Sequence, residues 1–337
     1  DHALGQMRKL REQSPGDSTM TKSLGDRAKD KGIAGDWAAR AAKIVESAVY
    51  PALDRQIAAV TSLRATTRPG DGATRLPRGD EIYAAALAQA TTTEMTPDEV
   101  HRLGLAQVAE ISASLDALLK AEGRTTGTVG ERLASVNKSP DQLYPNTDAG
   151  RTQLIADLNT SVDAMKARLP RAFASLPTQP LEIRRVPTEI QDGASNGYYN
   201  LASLDGSRPA IYFINLKDVA DWPKYTLPSL TYHEGVPGHH LQLSLAQESK
   251  DIPMLRKLSF YSSYIEGWAL YAEQLADELG GYQGFERAGY LQSFLFRASR
   301  LVVDTGLNSQ GWSRERAVDY MVATTGFERP RVQREVE

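Results

Sequence analysis

Apolar positions recur at spacings of three and four over most of this chain, and only one stretch in the middle alternates. The first 35 residues are polar and rich in Gly, Lys and Asp, and predict short helices joined by mobile loops. From Asp36 the residues Trp37, Ala41, Ile44, Val45 and Ala48 mark one helical face, which Pro51 is expected to kink or end. Residues 65–80 concentrate Thr, Pro, Gly and Arg and read as a loop, followed by a short Ala-rich run from Tyr83 to Ala90. Thr96, Pro97 and Glu99 have the spacing of a capping box. Val100, Leu103, Val108, Ile111, Leu115 and Leu118 then line a helix that ends near Gly123. Residues 123–150 read as a polar connection, and a helix over about 152–169 turns Leu154, Leu158, Val162 and Met165 inward.

The alternating stretch predicts strands at Leu181–Val186, around Tyr198-Tyr199, and at Ala210–Asn215, with a turn at Asp205-Gly206-Ser207. After Pro228 the pattern is helical in four segments, near 229–249, 257–279, 286–305 and 313–324. The expected fold is mainly α with a small antiparallel β-sheet. It forms either one continuous domain or a helical N-terminal region over 1–175 and a catalytic region over 176–337.

Composition narrows the chemistry. The chain has 337 residues, 41% hydrophobic and 24% charged, which is the balance of a globular protein with a buried core. Its net charge of −3 gives no electrostatic reason to expect nucleic acid or an anionic membrane as partner. No run approaches the ~20 apolar residues of a membrane span. With no cysteine, the chain has no disulfides, thiolate nucleophile, iron–sulfur cluster or Cys-type zinc site, so any metal is held by His and carboxylate. Asp1-His2-Ala3-Leu4-Gly5 lacks the basic start and apolar run of a signal peptide; with no initiator Met, the chain reads as a mature or trimmed form.

Three of the five histidines fall within eight residues, in Tyr232-His233-Glu234-Gly235-Val236-Pro237-Gly238-His239-His240. In a His-Glu-x-x-His helix two imidazoles one turn apart reach one zinc ion, and the Glu serves as base. Here the second His follows by six residues, which an unbroken helix would turn the wrong way. Pro237 and Gly238 suit a bulge that restores the convergence. Treated as a two-residue insertion, that bulge makes His239 the ligand beside His233 and leaves His240 next to the site. A third ligand is expected from a carboxylate on another element. Glu266 is the candidate because its neighbours are apolar and aromatic, with Glu273 as rival and an ordinary solvent-facing Glu266 as the plain alternative. Tyr264, Trp268, Tyr271 and Tyr320 fall at spacings that suit core packing. Tyr264 is also a candidate substrate contact, and the Tyr320 phenol a candidate donor to an oxyanion.

The run His-Glu-Gly-Val-Pro-Gly-His-His-Leu-Gln from His233, then Glu-Gly-Trp-Ala-Leu-Tyr-Ala-Glu from Glu266, then Arg297-Ala298-Ser299-Arg300-Leu301-Val302-Val303-Asp304-Thr305-Gly306, resembles the DUF885 family. Thr91-Thr92-Thr93 and Tyr198-Tyr199 fit the resemblance too. It implies a bacterial, gluzincin-like zinc hydrolase acting on a peptide or small amide substrate. It implies one zinc on His233, His239 and Glu266, with Glu234 as general base. It implies that Arg297, Arg300 and Asp304 lie near the site. There Asp304 would orient an imidazole and an Arg would bind a substrate carboxylate, or the three would form a salt bridge between helices. It implies that the strand Tyr212–Asn215 pairs, as an edge, with an extended substrate. Export to the periplasm or beyond follows from the same resemblance. Asn308 stands where the family usually has a His that would stabilise an oxyanion, and the family pattern continues past Glu337 into a segment expected to complete the substrate cleft. An esterase or amidase on the same scaffold, and a metal-binding protein without catalysis, are the rival readings.

Overall fold

The capping box at Thr96 is present: its hydroxyl accepts from Glu99 N, and Glu99 Oε2 accepts from Thr96 N at 2.8 Å. It starts one of the long helices of a computed structural model that describes residues 2–67, 70–188, 190–191 and 194–337. The structure divides into two units, Asp1–Pro69 and Gly70–Glu337. The division falls at the Pro/Gly-rich loop, and the stretch around residue 175 lies inside the second unit.

The first unit contains α1 (His2–Glu12), α2 (Thr19–Asp30), α3 (Trp37–Ile44) and α4 (Tyr50–Ala65). Pro51 does not end the helical path. A π-helical turn over Val45–Val49 carries α3 into α4, which places Pro51 in the first turn of α4, where a missing N–H costs least. Leu4, Ala28, Ala41, Val45, Tyr50 and Leu53 are its buried apolar residues. The Tyr50 hydroxyl donates to Gln13 O at 2.7 Å.

The second unit begins with α5 (Gly79–Thr91), α6 (Pro97–Ala121), α7 (Val129–Asn137) and α8 (Asp148–Lys166). Helix α7 occupies what the sequence suggested was a polar connection. Its start is a second capping box, Thr128 with Glu131. Three strands follow, β1 (Leu181–Arg185), β2 (Gly197–Asn200) and β3 (Ala210–Ile214). The chain then runs through α9 (Leu227–Glu234), α10 (His239–Glu248), α11 (Met254–Leu258), α12 (Ser262–Glu278), α13 (Glu286–Asn308), α14 (Arg314–Thr325) and α15 (Arg329–Val336).

The sheet has the order β1-β3-β2, with β1 parallel and β2 antiparallel to β3. It is mixed, not antiparallel as expected, because β3 inserts between the two earlier strands. This also corrects the expectation for Tyr212–Asn215. As the central strand, β3 spends its hydrogen bonds on both neighbours and offers no edge to a substrate. Leu154, Leu158, Val162 and Met165 of α8 pack with Tyr212 and Ile214 of β3, Tyr232 of α9, Leu241 of α10 and Ala276 of α12 in one core. That core sits beneath the histidine segment. Elsewhere α6 lies closely against α13: a Cβ on Gly104 would come 2.8 Å from Leu301 Cβ, so only glycine permits this approach.

Candidate metal centre

The predicted helical segment near 229–249 is two helices. Helix α9 stops at Glu234 and α10 starts at His239, with Gly235-Val236-Pro237-Gly238 between them. Gly238 N donates to Tyr232 O at 2.9 Å and His240 N to Gly235 O at 3.0 Å, bonds that step six and five residues back instead of four. A Cβ on Gly238 would lie 2.0 Å from His233 O and 2.4 Å from Tyr232 O, so this path admits glycine alone. The break closes the six-residue spacing. The rings of His233 and His239 meet edge to face with centroids 4.8 Å apart.

Glu266, on the first turns of α12, faces both rings. Its Oε2 lies 3.3 Å from His233 Nε2 and its Oε1 3.6 Å from His239 Nε2. Its side chain is 52% exposed, whereas Glu234 is 5% exposed. One ligand-type atom each from His233, Glu234 and His239 falls within a 4.8 Å cluster. Glu234 Oε2 and His239 Nδ1 are buried without a hydrogen-bond partner, a cost of about 1–3 kcal/mol for each such group. Burial pushes Glu234 up to about 7. Glu266 is held at about 2, first by its hydrogen bond with His233 and further by the neighbouring His239. Burial takes His239 down to about 4, with the charge on His233 adding to it. Burial and Arg297 oppose protonation of His233, but its bonds to Glu266 and Glu273 outweigh them and raise it.

Glu273 lies seven residues beyond Glu266 on the same face of α12 and is 0% exposed. Its Oε1 is 2.9 Å from His233 Nδ1 and 3.2 Å from Arg297 Nη2, and its Oε2 accepts from the Ser229 hydroxyl. Arg297 Nη2 also lies 3.1 Å from His233 Nδ1. That ring nitrogen cannot accept from Arg297 while donating to a carboxylate, and the ionised Glu273 oxygen is the acceptor that both donors share. Burial disfavours the Glu273 anion, but Arg297 and His233 together hold its carboxyl below the usual range. With Nδ1–H donated to Glu273, Nε2 is the ring atom that faces Glu266: it donates to that carboxylate when the ring is protonated and offers its lone pair to a metal when the ring is neutral. Two imidazoles, a carboxylate facing both, and an outer carboxylate behind one of them form a donor set that fits zinc.

The residue behind His233 is thus Glu273, not the anticipated Asp304. Asp304 accepts from the Tyr83 hydroxyl at 2.6 Å and from Asn308 Nδ2 at 3.2 Å. Asn308 in turn accepts from Ala73 N at 2.9 Å, so it tethers the loop before α5 and its amide is not free for an oxyanion. Arg297 is at the site. Arg300 is not: it pairs with Glu335 of α15 and covers the Phe296 ring at 4.5 Å. Tyr320 packs edge-on to Trp312, 5.7 Å between centroids, in the cluster around α14, and makes no contact with His233 or His239. Tyr264 is exposed, and its carbonyl accepts from Gln242 Nε2 at 3.2 Å.

His240 is buried beside the site with its ring committed. Nε2 lies 3.1 Å from Gln179 O, which can only accept, so Nδ1 takes the bond from the Tyr199 hydroxyl at 3.1 Å. Tyr199 of β2 lies 6.3 Å from the His239 ring. Trp268 Nε1 donates to Pro237 O at 2.9 Å and braces the break from α12. The sequence reading did not name Ser229, and it did not anticipate the bonds that Tyr199, Trp268 and Glu273 make here. For Glu273 a signal existed, since a seven-residue spacing from Glu266 places both on one helical face.

No curated protein matches the chain. Solved structures do match, among them two that are each described as that of a putative lipoprotein. One, from Colwellia psychrerythraea, is 37% identical with a TM-score of 0.97 over 99% of this chain. The other, from Shewanella oneidensis, is 17% identical with a TM-score of 0.68 over 99% of this chain, a likeness of fold alone. This chain spans 58% and 63% of their respective lengths. The family model for bacterial proteins of unknown function DUF885 matches residues 1–337 from end to end, and the chain belongs to that family.

Proposed function

We propose that this chain carries the centre of a gluzincin-like, zinc-dependent hydrolase that cleaves amide bonds of peptides. The observation that carries the reading is the convergence of His233 Nε2 and His239 Nε2 on the two oxygens of Glu266, with the partnerless Glu234 carboxylate buried in the same cluster. His233, His239 and Glu266 are the ligands in this reading. Glu266 is preferred to Glu234 because one carboxylate oxygen faces each imidazole, while Glu234 Oε2 has no partner. Bound there, zinc would lower the pKa of water and polarise a scissile carbonyl.

Glu234 would take a proton from the attacking water and return it to the leaving nitrogen, a role its buried, unpartnered Oε2 beside the two imidazoles suits. Glu273 holds the His233 ring in the tautomer and orientation that ligation needs. The half-exposed Glu266 marks the side from which substrate enters. The lipoprotein description of the relative with 37% identity supports an exported location. No helix among the described residues is long and apolar enough to cross a membrane.

The test is hydrolysis of a peptide library, set beside ester and acylamide panels, by the zinc-loaded chain and by Glu234→Gln at equal zinc content. The variant is expected to keep its metal and lose amide hydrolysis by orders of magnitude. Activity within a few-fold of wild type would remove Glu234 from the mechanism, and turnover of esters alone would reassign the substrate.

A further inference from the structure

A cavity of about 820 Å³ opens where α6 meets the corner between α13 and α14. His101, Leu105, Trp312, Arg316 and Tyr320 are among the residues that line it. His101 is 6% exposed and stands edge-on to Trp312, 5.6 Å between centroids. Its Nδ1 is 2.7 Å from Thr305 Oγ1. That hydroxyl lies 2.5 Å from Leu301 O, a separation two oxygens keep only with a proton between them. Thr305 therefore donates to Leu301 and can only accept from His101. The Nδ1 position therefore carries a proton, and in the Nδ1–H tautomer Nε2 has a bare lone pair. No group among the described residues donates to Nε2. Since the Nδ1 edge is spent on α13, the edge that lines the cavity is the one bearing Nε2.

The rest of the lining specifies more. Trp312 and Tyr320 provide aromatic walls, their centroids 5.7 Å apart. The guanidinium of Arg316 lies 4.0 Å from the centre of the Trp312 ring, and no carboxylate pairs with it among the described residues. Two acids also line the cavity, and each is paired with a cation other than Arg316: Glu315 with Arg314 and Arg329, and Asp319 with Arg329 at 2.6 Å.

We infer that this cavity binds a small planar aromatic acid carrying an O–H or N–H donor. The donor bonds His101 Nε2, the ring lies against Tyr320 and the edge of Trp312, and the acid pairs with Arg316. The site stands apart from the metal-centre reading and does not depend on it.

The test is calorimetric titration of the chelator-treated chain with 4-hydroxybenzoate, so that the probe's carboxylate has no metal to bind. Saturable binding of one molecule per chain is expected. Benzoate, which lacks the donor, and phenol, which lacks the acid, should each bind several-fold to about tenfold more weakly, the effect of one lost hydrogen bond or ion pair. His101→Phe should abolish the preference for 4-hydroxybenzoate over benzoate. Arg316→Gln, at an exposed position, should abolish the preference over phenol, and it serves as the deciding variant if His101→Phe does not fold. The inference is overturned by no saturable binding at millimolar probe, by equal binding of all three probes, or by variants that leave the ranking intact.

Discussion

Replacing Glu273 by Gln keeps the shape of a fully buried side chain but removes the charge shared by Arg297 and the His233 ring. Removing one partner of a buried ion pair costs about 3–5 kcal/mol, because the other charge is left uncompensated. Arg297 retains 22% exposure, and the Gln carbonyl can still accept from His233 Nδ1, so about 2–3 kcal/mol is expected for the metal-free protein. The zinc-loaded protein should show a second effect. An imidazole backed by an amide is a weaker donor than one backed by a carboxylate, and losing such an outer partner lowers metal affinity about 10–100-fold. The assay is competition for zinc against a chromophoric chelator, alongside thermal unfolding of the metal-free protein. Zinc affinity within about twofold of wild type, in a variant destabilised as expected, would reduce Glu273 to a structural ion pair and refute its part in holding the ligand.

Gly238→Ala should open the break between α9 and α10, since its Cβ would meet two carbonyl oxygens. A loss of about 1–3 kcal/mol in stability and a markedly weaker zinc site are expected by unfolding and chelator competition; wild-type zinc affinity would show that the break is not what aligns the histidines. Glu234 gives a pH signature in metal-free protein. Its folded pKa, about 7, lies above the ordinary 4.5, so its contribution to stability is fully present below about 4.5 and is lost as pH rises through 7. Glu234→Gln does not titrate, so its stability relative to wild type should rise by up to about 3 kcal/mol between pH 5 and 8, followed by urea unfolding; a difference independent of pH would contradict the burial argument.

The parts of this molecule legible in the sequence are those written locally. The Thr96 capping box, the inward face of α8 and all three strands depend on residues within a few positions of one another, and each is where the pattern placed it. Helix α7 is equally local, but its capping box lies in a stretch too polar for hydrophobic periodicity to mark. What periodicity does not carry is which element covers which. A strand pattern does not say that β3 lies between the other two, and this was enough to misplace the edge. The same holds at the candidate site. His233, His239 and Glu266 come together as motif spacing suggested, but Asp304 and Glu273 are both acids on helices, and their local sequence does not tell them apart. Only the packing of α12 and α13 around α9 tells that Glu273 reaches His233 while Asp304 is taken by Tyr83.

Zinc content and zinc X-ray absorption on the purified chain test the central claim most directly. The account predicts about one zinc per chain, coordinated by two imidazole nitrogens at ~2.0–2.1 Å and a carboxylate oxygen at ~2.0–2.2 Å, with the Glu266→Ala variant losing the oxygen and most of the affinity. A chain that retains no zinc from zinc-replete medium, or a bound zinc whose spectrum shows fewer than two imidazoles, would contradict it.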